Sequence, residues 1–300
     1  MNAYVHAVPN FSEGRDDEII KKIVGQLQGK EGVKLIDFYP DYDFNRTVIE
    51  VIGRPEPLKE ALLNMAGKSY ELIDMEKQSG RHPRIGAQDT IPLFPLKGID
   101  LAECKSMAEE IGHILYERFE VPIFFSGENA RTDDRKNLSF IRKGQYEGLK
   151  KEIHKPERSP DIGPAQMHPT AGATIVSSAS TGLVAVNIIL DSNDLEIAKS
   201  LALTVRGPSG GFSTIRAVGF ELEDLKKVAV SMNMFDLNAT PIHRVFNVIE
   251  MEAHRKGVQV IGTQIVGTLH NEVLIDAAAH HLRLVDFKQT QIIENHMINL

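Results

Sequence analysis

Three hundred residues, 42% hydrophobic and 25% charged, describe an ordinary globular chain of about two average domains. That length buries a core without staples, which excludes a disordered tail, a collagen and a disulfide-stapled mini-protein. A formal charge of −7 with no basic stripe excludes a nucleic-acid-binding surface.

The opening run MNAYVHAVPNFSEGR turns polar too early for a signal peptide. Apolar residues at Ile19, Ile20, Ile23, Val24 and Leu27 predict a helix over 16–28, with Ser12 or Asp16 as its cap. Strands are predicted over 33–38 and 47–52. A helix follows over 55–74, with two prolines near its start, where proline is tolerated. The run 101–119 reads as helix and 122–125 as a short strand. The single cysteine, Cys104, falls in that helical pattern, so an inert buried thiol is expected.

In the second half, Leu183 to Leu190 reads as a strand buried on both faces. Its run GLVAVNIIL is too short to span a bilayer, so a cytoplasmic protein without membrane partners is expected. A helix over 193–205, capped by Ser192 or Asn193, precedes strands over 216–222 and 228–234. Then come a helix over 241–255, a strand over 258–262 and closing helices. Alternation of this kind predicts α/β layers. The stretch KPERSPDIGPAQMHPTAG, 155–172, breaks it with four prolines and two glycines. Loops this long are often functional, and the chain is expected to divide just after it.

Four segments carry chemical potential. Val8 to Gly14 precedes the first helix and reads either as a turn with a cap or as an anion-binding helix start. Ser79 to Asp89, SGRHPRIGAQD, places His82 between Arg81 and Arg84. A histidine there can move protons near neutral pH, the arginines can neutralise a carboxylate, and Asp89 can pair with one of them. The alternative is a surface ion-pair turn. No second ligand lies two or four residues from His82, so a metal is not expected. The proline-rich loop is the third segment. Arg206 to Gly211, RGPSGG, is the fourth: a helix end plus loop, or an anion site, without the ending of a P-loop. Asp276 and His280 can pair along one helix, whereas His243, His254, His270 and His296 read as isolated.

Seven runs, in order, resemble the glutamate formiminotransferase family. They are VPNFSEGR (8–15), NRTV (45–48), HPRIGAQD (82–89), IRKGQYEGL (141–149), PDIGP (160–164), VSMNM (230–234) and IGTQIVG (261–267). The resemblance covers nearly the whole chain. It implies an α/β fold of α+β type with two similar subdomains, 1–178 and 179–300. Each would be a β-sheet covered by helices, the sheets facing across a folate tunnel. It also implies formimino transfer from N-formimino-L-glutamate to N5 of tetrahydrofolate, here a co-substrate, within histidine degradation, by a homodimer.

The family's catalytic histidine falls on His82. Its folate-binding loop falls on Gly163, Pro164, Ala165, Gln166, Met167, His168, Pro169, Thr170, Ala171 and Gly172. Pro160, Asp161, Gly163, Pro164, Pro169, Gly172 and Ala173 match by identity, and Ala165 to His168 by position only. Arg46, Arg84 and Arg206 are the candidates for substrate carboxylates.

The chain departs from the family at Gln78, where many members carry histidine, at Tyr39, where an acidic residue is common, and at Ser178-Ala-Ser180, where members read Gly-Ala-Arg. Two other readings therefore stand beside the first. One is a related folate enzyme using N-formyl-glutamate or 5-formyl-tetrahydrofolate. The other is a folate-binding homologue without turnover.

Overall fold

The computed structural model describes residues 3–293. The described chain forms two compact units, one ending at Ser180 and the other starting at Thr181. The expected α+β organisation, with a sheet and covering helices in each part, is what the structure shows.

The first unit holds strands β1 (Tyr4–Ala7), β2 (Asn10–Phe11), β3 (Val33–Asp41), β4 (Arg46–Gly53), β5 (Gln88–Lys97), β6 (Ile123–Gly127) and β7 (Thr174–Ser178). They make one seven-stranded sheet in the order β1-β4-β2-β5-β7-β6, with β3 beside β4. β1 and β2 are two halves of one strand position, broken at Val8-Pro9, and each pairs antiparallel with both β4 and β5. β5, β7 and β6 run parallel.

Helices α1 (Asp17–Val24), α2 (Pro55–Leu72), α3 (Leu101–Phe119), α4 (Leu138–Ile141) and α5 (Gln145–Glu152) complete this unit. Asp16 caps α1 by accepting the Glu18 and Ile19 N–H groups. Ser12 is not the cap; its hydroxyl donates to the Gly86 carbonyl at 2.7 Å. α3 opens with a reciprocal capping box between Asp100 and Glu103. It packs on β5 and β7, and Gly112 lets it lie against the Phe125 ring, 2.9 Å from where a Cβ would stand. Cys104 is a fully buried free thiol, as expected, and burial pushes its pKa up to about 11.

The second unit runs β8 (Val184–Leu190), α6 (Leu195–Val205), β9 (Ile215–Leu222), β10 (Lys227–Met234), α7 (Ile242–Arg255), β11 (Val260–Val266) and α8 (Asn271–Leu282). The four strands are antiparallel in the order β11-β8-β10-β9, the split β-α-β arrangement. Val186, Ile188, Val230 and Met232 face a core shared with Leu201 of α6 and Ile249 of α7. Asp194, not Ser192 or Asn193, caps α6: its carboxylate is the one that reaches the Glu196 N–H, at 2.9 Å. The Asp276–His280 pairing does not form. His280 instead stacks on His243, ring centroids 4.3 Å apart, and meets Asn247, so His243 is not isolated either. His296 lies outside the described residues. Among those residues no helix is long and apolar enough to cross a membrane.

Candidate active site

Three of the sequence runs converge on Asn45. Its backbone takes a left-handed conformation (φ 50°), which asparagine tolerates better than most residues. Its Oδ1 accepts the Gly14 N–H at 2.9 Å and its Nδ2 donates to the Ser79 carbonyl at 2.8 Å. Thr47 adds a hydroxyl bond to the Glu13 carbonyl at 2.6 Å. Gly80 presses on this turn so closely that a Cβ would stand 2.4 Å from the Phe44 carbonyl oxygen. The chain from 81 to 82 then follows the turn, with Arg81 N–H on the Asp43 carbonyl and His82 N–H on the Phe44 carbonyl at 3.2 Å.

His82 is buried, 3% exposed, rather than lying on a surface turn. Its Nδ1 is buried without a hydrogen-bond partner among the described residues. Burial pulls its pKa down to about 4; Asp89 opposes the shift, and Arg142, Arg46 and Arg84 add to it. The imidazole is therefore neutral at pH 7 and able to accept a proton.

This has a stability consequence. The unfolded imidazole takes up a proton near pH 6.5, whereas the folded one waits until about pH 4. Stability tied to His82 is thus complete above pH 6.5 and lost as pH falls from 6.5 towards 4, by about 3 kcal/mol. In melting curves from pH 7.5 to 4, His82→Gln is expected to lose less Tm than the parent; parallel curves would refute the shift.

The three arginine candidates behave differently. Arg84 is 3% exposed and all five of its N–H groups are occupied. Nε bonds Gln78 Oε1, Nη1 bonds Gln145 Oε1 and Glu147 Oε2, and Nη2 bonds the Gln78 carbonyl and Glu147 Oε1. No donor is left for a substrate, so the geometry speaks for a brace between the His82 segment and α5. Arg46 is half-buried, and its Nε has no partner among the described residues. Burial lowers its pKa, with Asp41 opposing and Arg142 adding to the shift. Arg206 belongs to the second unit, at the end of α6, where its Nε donates to Ser209 Oγ at 2.6 Å.

Asp89 pairs with neither Arg81 nor Arg84, contrary to expectation. Its Oδ1 accepts the Ile85 N–H at 2.7 Å, and its Oδ2 pairs with Arg142, just past α4. Arg84 is held by Glu147, which leaves the fully buried Asp89 to a guanidinium from the run 141–149. Nothing in the run 141–149 by itself marks Arg142 for that role.

The loop 155–172 is ordered by its own polar bonds. Asp161 accepts the Phe125 N–H and the Arg135 guanidinium, while Arg158 donates to the carbonyls of Phe140, Ile141 and Lys143. Gly163 to Gln166 are exposed, and Met167, Ala171 and Gly172 are buried. His168 lies between them; burial lowers its pKa against the pull of Glu120, and its Nδ1 accepts the Thr170 and Ala171 N–H groups.

The loop's end is stitched to the His82 segment. Ala87 N–H meets the Ala171 carbonyl at 2.8 Å, and Ala173 N–H meets the Ile85 carbonyl at 3.1 Å. Gly86 and Gly172 touch so closely that a Cβ on Gly86 would stand 2.0 Å from the Ala173 carbonyl oxygen. Within the first unit, then, His82, Arg46, Arg84 and the end of the 163–172 loop come together. Among the described residues no three His, Cys, Asp or Glu side chains group closely enough to hold a metal ion.

Comparison with known proteins agrees over the whole length. The family described as formiminotransferase domain, N-terminal subdomain, matches residues 4–179, and the formiminotransferase domain matches 183–300. The glutamate formimidoyltransferase of Streptococcus pyogenes serotype M1 is 37% identical, over 99% of this chain and 100% of that protein. The glutamate formimidoyltransferase of Thermoplasma acidophilum is 35% identical, over 98% and 97%. The formimidoyltransferase-cyclodeaminase of Sus scrofa is 38% identical over 94% of this chain and 53% of its own, so this chain spans about half of that relative. On both domain matches and on these identities, the chain belongs to the formiminotransferase domain family.

Proposed function

We propose that the chain is a glutamate formimidoyltransferase, moving a formimino group from N-formimino-L-glutamate to N5 of tetrahydrofolate. End-to-end similarity to two enzymes named for that activity supports the reading. The observation that carries the mechanism is the buried, neutral His82 with its unpartnered Nδ1.

Folate N5 attacks the amidine carbon, giving a tetrahedral intermediate. His82 takes the N5 proton. It then returns a proton to the glutamate nitrogen as the C–N bond breaks, releasing glutamate and 5-formimino-tetrahydrofolate. Because its pKa is low, the imidazolium so formed is a strong acid towards that leaving nitrogen. The exposed stretch of the 163–172 loop, fixed to the His82 segment at Ala171–Gly172, is the folate contact in this reading.

A spectrophotometric assay with formimino-glutamate and tetrahydrofolate tests it. The acid limb of kcat/KM is expected near pH 4 and not near 6.5. Folate binding without turnover of any donor would reject it. Ser178-Ala-Ser180, where the family carries an arginine, favours a second donor, N-formyl-glutamate, which the same assay compares directly. We further propose a homodimer in the cytoplasm, in histidine breakdown; light scattering at the 33.4 kDa of a single chain would reject the dimer.

A further inference from the structure

Two guanidinium groups beside His82 have N–H donors that the protein does not use. The Arg46 side chain makes no hydrogen bond or ion pair among the described residues; its guanidinium carbon lies 5.6 Å from the centre of the Phe44 ring. Arg142 gives Nη2 to Asp89, but its Nε is buried without a partner among the described residues, and its side chain is 15% exposed. Both are tied to the His82 segment through their neighbours and act on its imidazole. Arg46 follows the Phe44–Asn45 turn that receives the His82 N–H, and the Asp89 partner of Arg142 holds the Ile85 N–H three residues on.

Arg84 is paired with Glu147 and Arg142 with Asp89, whereas the half-buried Arg46 forms no ion pair among the described residues and meets Asp41 and Asp89 only at longer range. Each cation acts on His82, and Arg142 acts on Arg46. Buried donors and unpaired charge are costly unless something completes them, and a carboxylate is the group that matches guanidinium N–H donors in shape and charge.

We propose that Arg46 and Arg142 clamp the α-carboxylate of the glutamate donor. This rests on the formimidoyltransferase reading. The α-carboxylate is the one attached to the carbon that bears the leaving nitrogen, and His82 must reach that nitrogen. A carboxylate site flanking His82 therefore fits the α group, and the γ-carboxylate, farther along the chain, lies outside it. Arg84, with every donor occupied, has no part in the clamp.

The test is Arg46→Gln, which breaks no ion pair, together with Arg142→Lys, which keeps a cation for Asp89. Each is expected to raise KM for formimino-glutamate at least tenfold, with Tm retained and KM for tetrahydrofolate changed less than threefold. With N-formimino-4-aminobutyrate, which lacks the α-carboxylate, parent and variants should differ by less than threefold. A penalty that persists with that donor, or one that moves to tetrahydrofolate, overturns the clamp. Absence of turnover in the parent would instead reject the enzyme reading. Calorimetry with L-glutamate then decides the clamp separately: tenfold weaker binding to Arg46→Gln upholds it, and equal binding, or none to the parent, overturns it.

Discussion

His82→Ala is expected to lower kcat by roughly 10²–10⁴, about 3–5 kcal/mol of barrier, while the protein still folds. The surrounding backbone does not depend on the imidazole. The His82 N–H bond to the Phe44 carbonyl, the Asn45 bond to Ser79 and the Ala87–Ala171 pairing are all made without it. Its Nδ1 makes no bond that the substitution could break. Because the ring is buried, alanine leaves a small void and Tm drops modestly; His82→Gln fills more of that space but carries no proton. Both variants should therefore be slow, with Gln the more stable. On the opposing view His82 is only a packing residue, and then the Gln protein would fold and turn over normally. Measuring kcat beside Tm, with a confirmed substrate, separates the two, and near-normal kcat in a folded His82→Gln protein ends the catalytic assignment.

Local signals were legible in the sequence where a rule has one residue to act on. Helix α3 was readable to both ends because its apolar spacing is regular and Asp100 and Glu103 form its cap. Strand β5 carries no such signal, because Pro92 and Pro95 interrupt its run, yet the structure seats it in the middle of the sheet. The break between β1 and β2 lies opposite Pro92, whose carbonyl accepts the Val8 N–H, while Pro95 faces Val5 within β1. Strand β11 was expected at 258–262 and runs from Val260 to Val266, since Gly262, Thr263 and Gln264 hide its continuation.

The site divides the same way. His82 stood out from its local motif, but its burial did not, because the glycines around it admit close backbone contacts from Phe44 and from Ala173 rather than a loose turn. The partner of Asp89 could not be read at all: Arg142 lies 53 residues away, and no spacing rule reaches across a fold. For the same reason Arg84 looked free for a substrate, when Glu147 and Gln145, more than 60 residues on, occupy it.

Asp89→Ala is expected to cost the most stability of any change near the site. Asp89 is fully buried and serves two donors, the Ile85 N–H and the Arg142 guanidinium. Removing it strands a cation that is mostly buried and leaves a buried N–H unpaired, which costs about 3–5 kcal/mol. That corresponds to a fall in Tm on the order of 10 °C. Asp89→Asn keeps an acceptor for Ile85 and loses only the charge, so it should fall between parent and Ala. Activity changes in a defined direction as well. Asp89 supplies the negative charge that holds the His82 pKa up against three arginines. Without it the imidazole becomes a weaker base, so kcat falls and the acid limb moves below pH 4. A double variant, Asp89→Ala with Arg142→Leu, removes both charges and should melt above Asp89→Ala alone, because the stranded cation is gone. If the double variant loses the sum of the two single effects, the pair is not coupled, and the stability at this position comes from packing.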